Sequence, residues 1–137
     1  MEPLTISAEI KKPVEQVWDT FNDPQHITKW NLAHESWECP SAANDLRVGG
    51  RLEARMQARD GSFGFDFIGI YDEVKDNERI RYHLEDGRKV EVIFEKIAED
   101  GTRVTEHFDP ESQNPLEMQQ QGWQAILDNF KRYSETI

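Results

Sequence analysis

Hydrophobic and polar positions alternate strictly from Leu4 to Ile10. Leu4, Ile6, Ala8 and Ile10 fall on one side, Thr5, Ser7 and Glu9 on the other. This is the pattern of a half-buried strand. The period then changes. Pro13 stands where a helix can begin, and Val14, Val17, Trp18 and Phe21 follow at the i, i+3, i+4, i+7 spacing of an amphipathic helix. Asp23-Pro24 reads as a cap and a first helical position, opening a second short helix through Ile27 to about Trp30. The stretch from His34 to Ala43 keeps no period and is expected to be irregular, with a short strand at Ser36–Glu38; beyond it, Gly49-Gly50 marks a turn.

From Leu52 the period is two. Leu52, Ala54 and Met56 alternate with Arg51, Glu53 and Arg55, and Asp60-Gly61 is a hairpin signal. Phe63, Phe65 and Phe67 alternate in the next strand, but Ile68 and Ile70 leave both of its faces partly apolar, and Gly69 predicts a bulge or bend. Ile80, Tyr82 and Leu84 follow, then a turn at Asp86-Gly87, then Val90, Val92 and Phe94. A further turn at Asp100-Gly101 precedes Thr102, Val104, Glu106 and Phe108. From Pro115 the period returns to 3.6, with Leu116, Gln119, Trp123, Ile126, Leu127 and Phe130 on one stripe of a long helix. The order of elements implies an α+β fold, in which a twisted antiparallel sheet of six or seven strands is covered on its concave face by the terminal helix. No repeat or linker interrupts it, so residues 1–137 are expected to form a single domain.

Many side chains directed at that helix are large: Met56, Phe65, Phe67, Tyr82, Phe94, Phe108 and Trp123. They either interdigitate into a dry core or leave a cavity where the sheet curls away. One residue breaks the apolar pattern, because the parity that turns Val104 and Phe108 inward also turns Glu106 inward. A carboxylate there must be paired, hydrogen-bonded or protonated. It is a candidate ligand-orienting or proton-transferring group. The alternatives are a bulge that turns it outward, or a structural pairing with Tyr82 or an arginine.

His26, His34, His83 and His107 lack metal-ligand spacing, and surface positions are expected for all but His34, which is near Trp30 and Trp37. No nucleophile-elbow, zincin, phosphate-loop or dinucleotide motif is present. Cys39 stands alone, so neither a disulfide nor a cysteine-rich metal site is expected, and no cofactor is implied.

Charge narrows the partners. Sixteen Lys and Arg against twenty-seven Asp and Glu give a formal charge of -11 over 137 residues. Nucleic acid and anionic membrane surfaces both require the opposite sign, so neither is an expected partner. No apolar run approaches the ~18 residues of a membrane span, and the first residues lack a secretory layout. A cytoplasmic location is expected.

Several segments appear in a familiar order: PVEQVWDTFNDPQHITKW (Pro13–Trp30), DLRVGGR (Asp45–Arg51), DGSFGFDFIGIYDEV (Asp60–Val74), ERIRY (Glu78–Tyr82), VTEHFDPE (Val104–Glu111) and QQGWQAILDNFKRY (Gln120–Tyr133). Together they resemble the START-like (SRPBCC) superfamily, and within it the homologues of the heat-shock protein 90 ATPase activator. The resemblance implies a helix-grip fold, with a curved sheet wrapped around the terminal helix and an internal cavity suited to hydrophobic ligands. The expected function is then binding of a small lipid-like or polyketide-like molecule. The candidate contacts are Trp30, Trp37, Met56, Phe65, Phe67, Tyr71, Tyr82, Phe94, Glu106, Phe108, Gln119 and Trp123. Two alternatives stand beside it: a co-chaperone-like protein-interaction domain, with a chaperone or a second copy of the chain as partner, and a cyclase- or hydrolase-like enzyme using Glu106 as acid or base.

Overall fold

A computed structural model describes residues 2–137. In chain order the elements are β1 (Leu4–Ile10), α1 (Val14–Asn22), α2 (Pro24–Trp30), β2 (Trp37–Glu38), β3 (Ala42–Asn44), β4 (Arg51–Ala58), β5 (Gly64–Lys75), β6 (Arg79–Leu84), β7 (Lys89–Ala98), β8 (Gly101–Phe108) and α3 (Leu116–Thr136). The long strands pair antiparallel in the order β1-β8-β7-β6-β5-β4, and the short β2 and β3 share the outer edge of β4. This is the predicted α+β architecture, with six long strands and a composite seventh position.

Local chemistry sets most element boundaries. Pro13, with φ -60°, stands at the start of α1, and its carbonyl accepts from the Val17 N–H at 3.0 Å. Asp23 caps α2 by accepting from the Gln25 N–H at 2.9 Å, with Pro24 in the first helical position. Gly61 and Gly87 take φ of 78° and 91° in their hairpin turns, a region costly for residues with a Cβ. In the third hairpin the turn falls on Glu99-Asp100, and Gly101 pairs with Ala98 as the first residue of β8.

Besides this shift of the third turn from the expected Asp100-Gly101, the structure differs from the sequence reading at two further places in the sheet. Ala42–Asn44, within and just beyond the stretch expected to be irregular, forms β3 because β4 offers it a free edge. The irregularity in β5 lies between Tyr71 and Glu73 rather than at Gly69, which pairs in register with Leu52 and Leu84.

The terminal helix does two jobs. Leu127 and Phe130 bury one side of it in the core. Its flank covers the open edge of β1: Gln120 and Gln124 side-chain amides donate to the Thr5 and Ser7 carbonyls at 3.0 Å each, and the Lys131 ammonium donates to the Glu9 carbonyl at 2.6 Å. An edge strand left bare is a template for unwanted pairing, and here a helix covers it.

The core is dry at one end. Trp18, Phe21, Trp30, Phe94 and Phe130 meet edge to face or tilted, with ring centroids 4.9–5.3 Å apart. Nearer the start of α3, Trp123 and Ile126 border a hollow instead.

Candidate functional site

The hollow is a cavity of about 270 Å³ between β3–β6, β8, the two short helices and α3. Of the residues singled out in the sequence, Trp30, Met56, Phe65, Phe67, Tyr71, Tyr82, Glu106 and Trp123 line it. Alternation places them: Ala54 and Met56 stand opposite Phe67 and Phe65 in the β4–β5 register, and Tyr71 opposite Tyr82 in β5–β6. The Tyr82 ring meets both Phe67 and Tyr71 edge to face, with centroids 6.2 and 5.9 Å apart.

The other sequence candidates lie elsewhere. Phe94 belongs to the dry cluster. Phe108 is stacked on Trp123 at 4.0 Å with ring planes 6° apart, so it backs the wall rather than forming it. Trp37 packs against Phe63 and Phe65 at the rim. Gln119 braces the loop before α3, accepting from the Glu111 N–H at 2.8 Å and donating to the carbonyls of Glu111 and Asn114 at 3.0 and 2.8 Å.

Glu106 points inward. The β8 register runs unbroken past it, opposite Ile6 in β1 and Val92 in β7, so no bulge turns it out. The residue is 8% exposed. Among the described residues no arginine, lysine or histidine forms an ion pair with it, and Tyr82 does not hydrogen-bond to it. Desolvation alone pushes its carboxyl up to about 8. Burial also holds the Tyr82 phenol well above its ordinary value, and the nearby Glu106 charge adds to the effect.

Three polar residues of the lining, Tyr71, Asn44 and Asn22, are linked in a hydrogen-bonded chain. The Tyr71 hydroxyl donates to Asn44 Oδ1 at 2.7 Å. Asn44 Nδ2 donates to the Asn22 carbonyl at 2.8 Å, and Asn22 Nδ2 to the Trp18 carbonyl at 3.0 Å. This chain ties β5 to β3 and α1 and leaves those amides committed. Arg88, from the β6–β7 turn, borders the cavity with its Nε on Asp86 at 2.8 Å. Sequence reasoning missed the polar lining residues Asn22, Asn31, Asn44 and Arg88. Each lies at an element end or in a turn, where periodicity carries no information about direction.

The histidines stand apart from the cavity. His34 is exposed and bonds Ser36 at 2.9 Å, His83 sits beside Asp72 at 3.0 Å, and His107 meets Thr5 at 2.9 Å. His26 is half-buried rather than solvated, because its ring shares a 2.7 Å hydrogen bond with the Tyr133 hydroxyl across α2 and α3. Among the described residues no group of three or more His, Cys, Asp or Glu side chains is arranged to hold a metal ion. Among the described residues no helix is long and apolar enough to cross a membrane.

Comparison with known proteins gives this geometry a family. The solution structure of the AHSA1-like protein from Aeromonas hydrophila is 44% identical, covering 97% of this chain and 93% of that one, with a TM-score of 0.87. A protein from Cytophaga hutchinsonii is 47% identical over 98% of this chain and 92% of its own, with a TM-score of 0.84. A Nitrosomonas europaea protein shares the fold at 21% identity and a TM-score of 0.83, covering 98% of this chain and 95% of its own. No curated protein matches. The shared fold is one that suits a ligand-binding or co-chaperone-like domain in general. The family model described as Activator of Hsp90 ATPase homolog 1-like protein matches residues 11–135, and the chain belongs to that START-like family.

Proposed function

We propose that this protein binds a small, mainly apolar aromatic molecule in the cavity between the sheet and α3. The observation that carries the reading is a hollow of about 270 Å³ walled by aromatic and aliphatic side chains, with the Glu106 carboxyl turned into it and unpaired. Sites for small molecules have this form: apolar walls and a few placed polar groups. An apolar cavity of about 150 Å³ accepts a benzene ring, so this space suits roughly two fused rings better than a long acyl chain.

The test is a thermal-shift and native mass-spectrometry screen against flavonoids, small polyketides, two-ring aromatics and fatty acids. Two-ring compounds are expected to raise the melting temperature and to survive as one-to-one complexes. Melting curves unmoved by every class, with a crystal showing the interior filled by side chains, would overturn the proposal.

A second reading follows from the rim. Phe63 and Phe65 are 61% and 43% exposed and form an aromatic group with Trp37. Such a patch supports contact with another protein, and family membership makes an Hsp90-class chaperone the first partner to test. Retention of purified chaperone by the wild type but not by Phe63→Ser would favour it.

A further inference from the structure

We infer that the guest of this cavity is a cation, a protonated amine carried on an apolar aromatic frame, with the Glu106 carboxylate as its counter-ion. The inference rests on the cavity being a ligand site.

Three features agree in sign. The first is the carboxyl itself. From β1 and β7 it is flanked in register by Ile6 and Val92, and α3 brings Trp123 and Ile126 to the same hollow. The titratable or charged groups that share the hollow are Tyr71 from β5, Tyr82 from β6 and Arg88 from the turn after β6. Arg88 is engaged with Asp86, and Tyr71 with Asn44. Among the described residues Glu106 is therefore an ionisable carboxyl without a partner, more than nine-tenths buried and opening on the hollow. An uncharged guest would be served as well by a glutamine or serine, which carry no such desolvation cost.

The second feature is the wall. The rings of Phe21, Trp30, Phe67, Tyr82 and Trp123 border the cavity, and an aromatic face attracts a cation and repels an anion. The third is the net charge of -11, which raises the local concentration of cations at any mouth of the protein.

The binding step moves one proton and no covalent bond of the guest. The empty site at pH 7 holds Glu106 mainly as the neutral acid, since burial pushes it to about 8. Arrival of an ammonium group favours the carboxylate, and the carboxyl proton passes to solvent. By linkage, binding of the amine at pH 7 is accompanied by net proton release, which an uncharged guest does not cause.

Three probes of one shape separate charge from hydrophobicity: 1-naphthylmethylamine, 1-naphthylmethanol and 1-naphthoic acid. Their affinities are measured by calorimetry at pH 7 in two buffers of different ionisation enthalpy. The amine is expected to bind roughly tenfold or more tightly than the alcohol, with the acid weakest and proton release confined to the amine. In Glu106→Gln the amine and alcohol should converge to within about twofold. Equal binding of amine and alcohol to the wild type, or an amine preference that survives in the variant, overturns the inference while leaving the cavity a ligand site. Failure of all three probes to bind overturns both. Should the variant not fold, the wild type decides alone: an amine that binds no more tightly than the alcohol overturns the inference.

Discussion

The ring of Tyr82 lies directly over Gly69. A Cβ placed on Gly69 would sit 2.6 Å from Tyr82 Cδ2, closer than any real contact allows. Tyr82 is 5% exposed and cannot swing away freely. The glycine is therefore present for close approach of a neighbouring side chain rather than for a bend. Gly69→Ala is expected to cost about 1–3 kcal/mol in urea unfolding through forced overpacking. The loss should shrink in the Tyr82→Leu background, and an equal loss in both backgrounds would show that the ring is not the obstacle.

Glu106 makes stability fall with pH in a defined window. Its carboxyl is raised from an ordinary 4.5 to about 8, so between those values the unfolded chain is ionised while the folded chain holds the proton. The unfolded state binds fewer protons there, and stability declines by about 1.4 kcal/mol per pH unit from this group alone. Below 4.5 and above 8 the contribution is flat. Thermal melts of the wild type and Glu106→Gln should therefore diverge as pH rises from 5 to 8, the variant gaining. Parallel melting curves across that range would show that the carboxyl is solvated.

Tyr71→Phe removes the donor that satisfies Asn44 Oδ1. The amide still holds Asn22 through its other end, so the strand β3 is loosened rather than released. A loss of about 1–2 kcal/mol in the free energy of urea unfolding is expected. Faster amide hydrogen exchange should be confined to residues 42–44 and the end of α1.

Filling the cavity should separate binding from folding. Ala54 is 1% exposed and opens onto the hollow, so Ala54→Leu places three further carbons there. Affinity for a naphthyl probe is expected to fall tenfold or more, with stability changed by no more than about 1–3 kcal/mol. The exposed neighbour supplies a control: Ala43→Leu should leave probe binding untouched.

The helix cover over β1 is also testable. Gln120→Ala with Gln124→Ala removes the amides that donate to the Thr5 and Ser7 carbonyls. Each bond contributes about 0.5–1.5 kcal/mol, and its loss bares the sheet edge. Lower stability together with concentration-dependent light scattering is expected. Unchanged scattering would mean that water and Lys131 protect the edge sufficiently.

Much of this protein is legible before any fold is built. The alternation of Leu4 to Ile10, the Asp23-Pro24 cap and the Asp60-Gly61 and Asp86-Gly87 turns act within a few residues, so their physics is complete in the local sequence. The inward parity of Glu106 belongs to the same class, because side chains on an unbroken strand alternate whatever lies across from them. Resemblance to a family then extends these local signals to a helix-grip fold.

What tertiary structure alone decided is where matter is missing. Whether facing rings interdigitate or stand apart depends on the spacing between sheet and helix, and no period encodes that distance. Phe94 and Phe67 both point inward, yet the first is locked among Trp18 and Phe21 while the second faces a void. The partnerless state of Glu106, the commitment of Asn44 to Tyr71 and the seat of Tyr82 on Gly69 all join residues far apart in the chain. Local pattern fixes which way a side chain points; only the packed fold determines what it meets there.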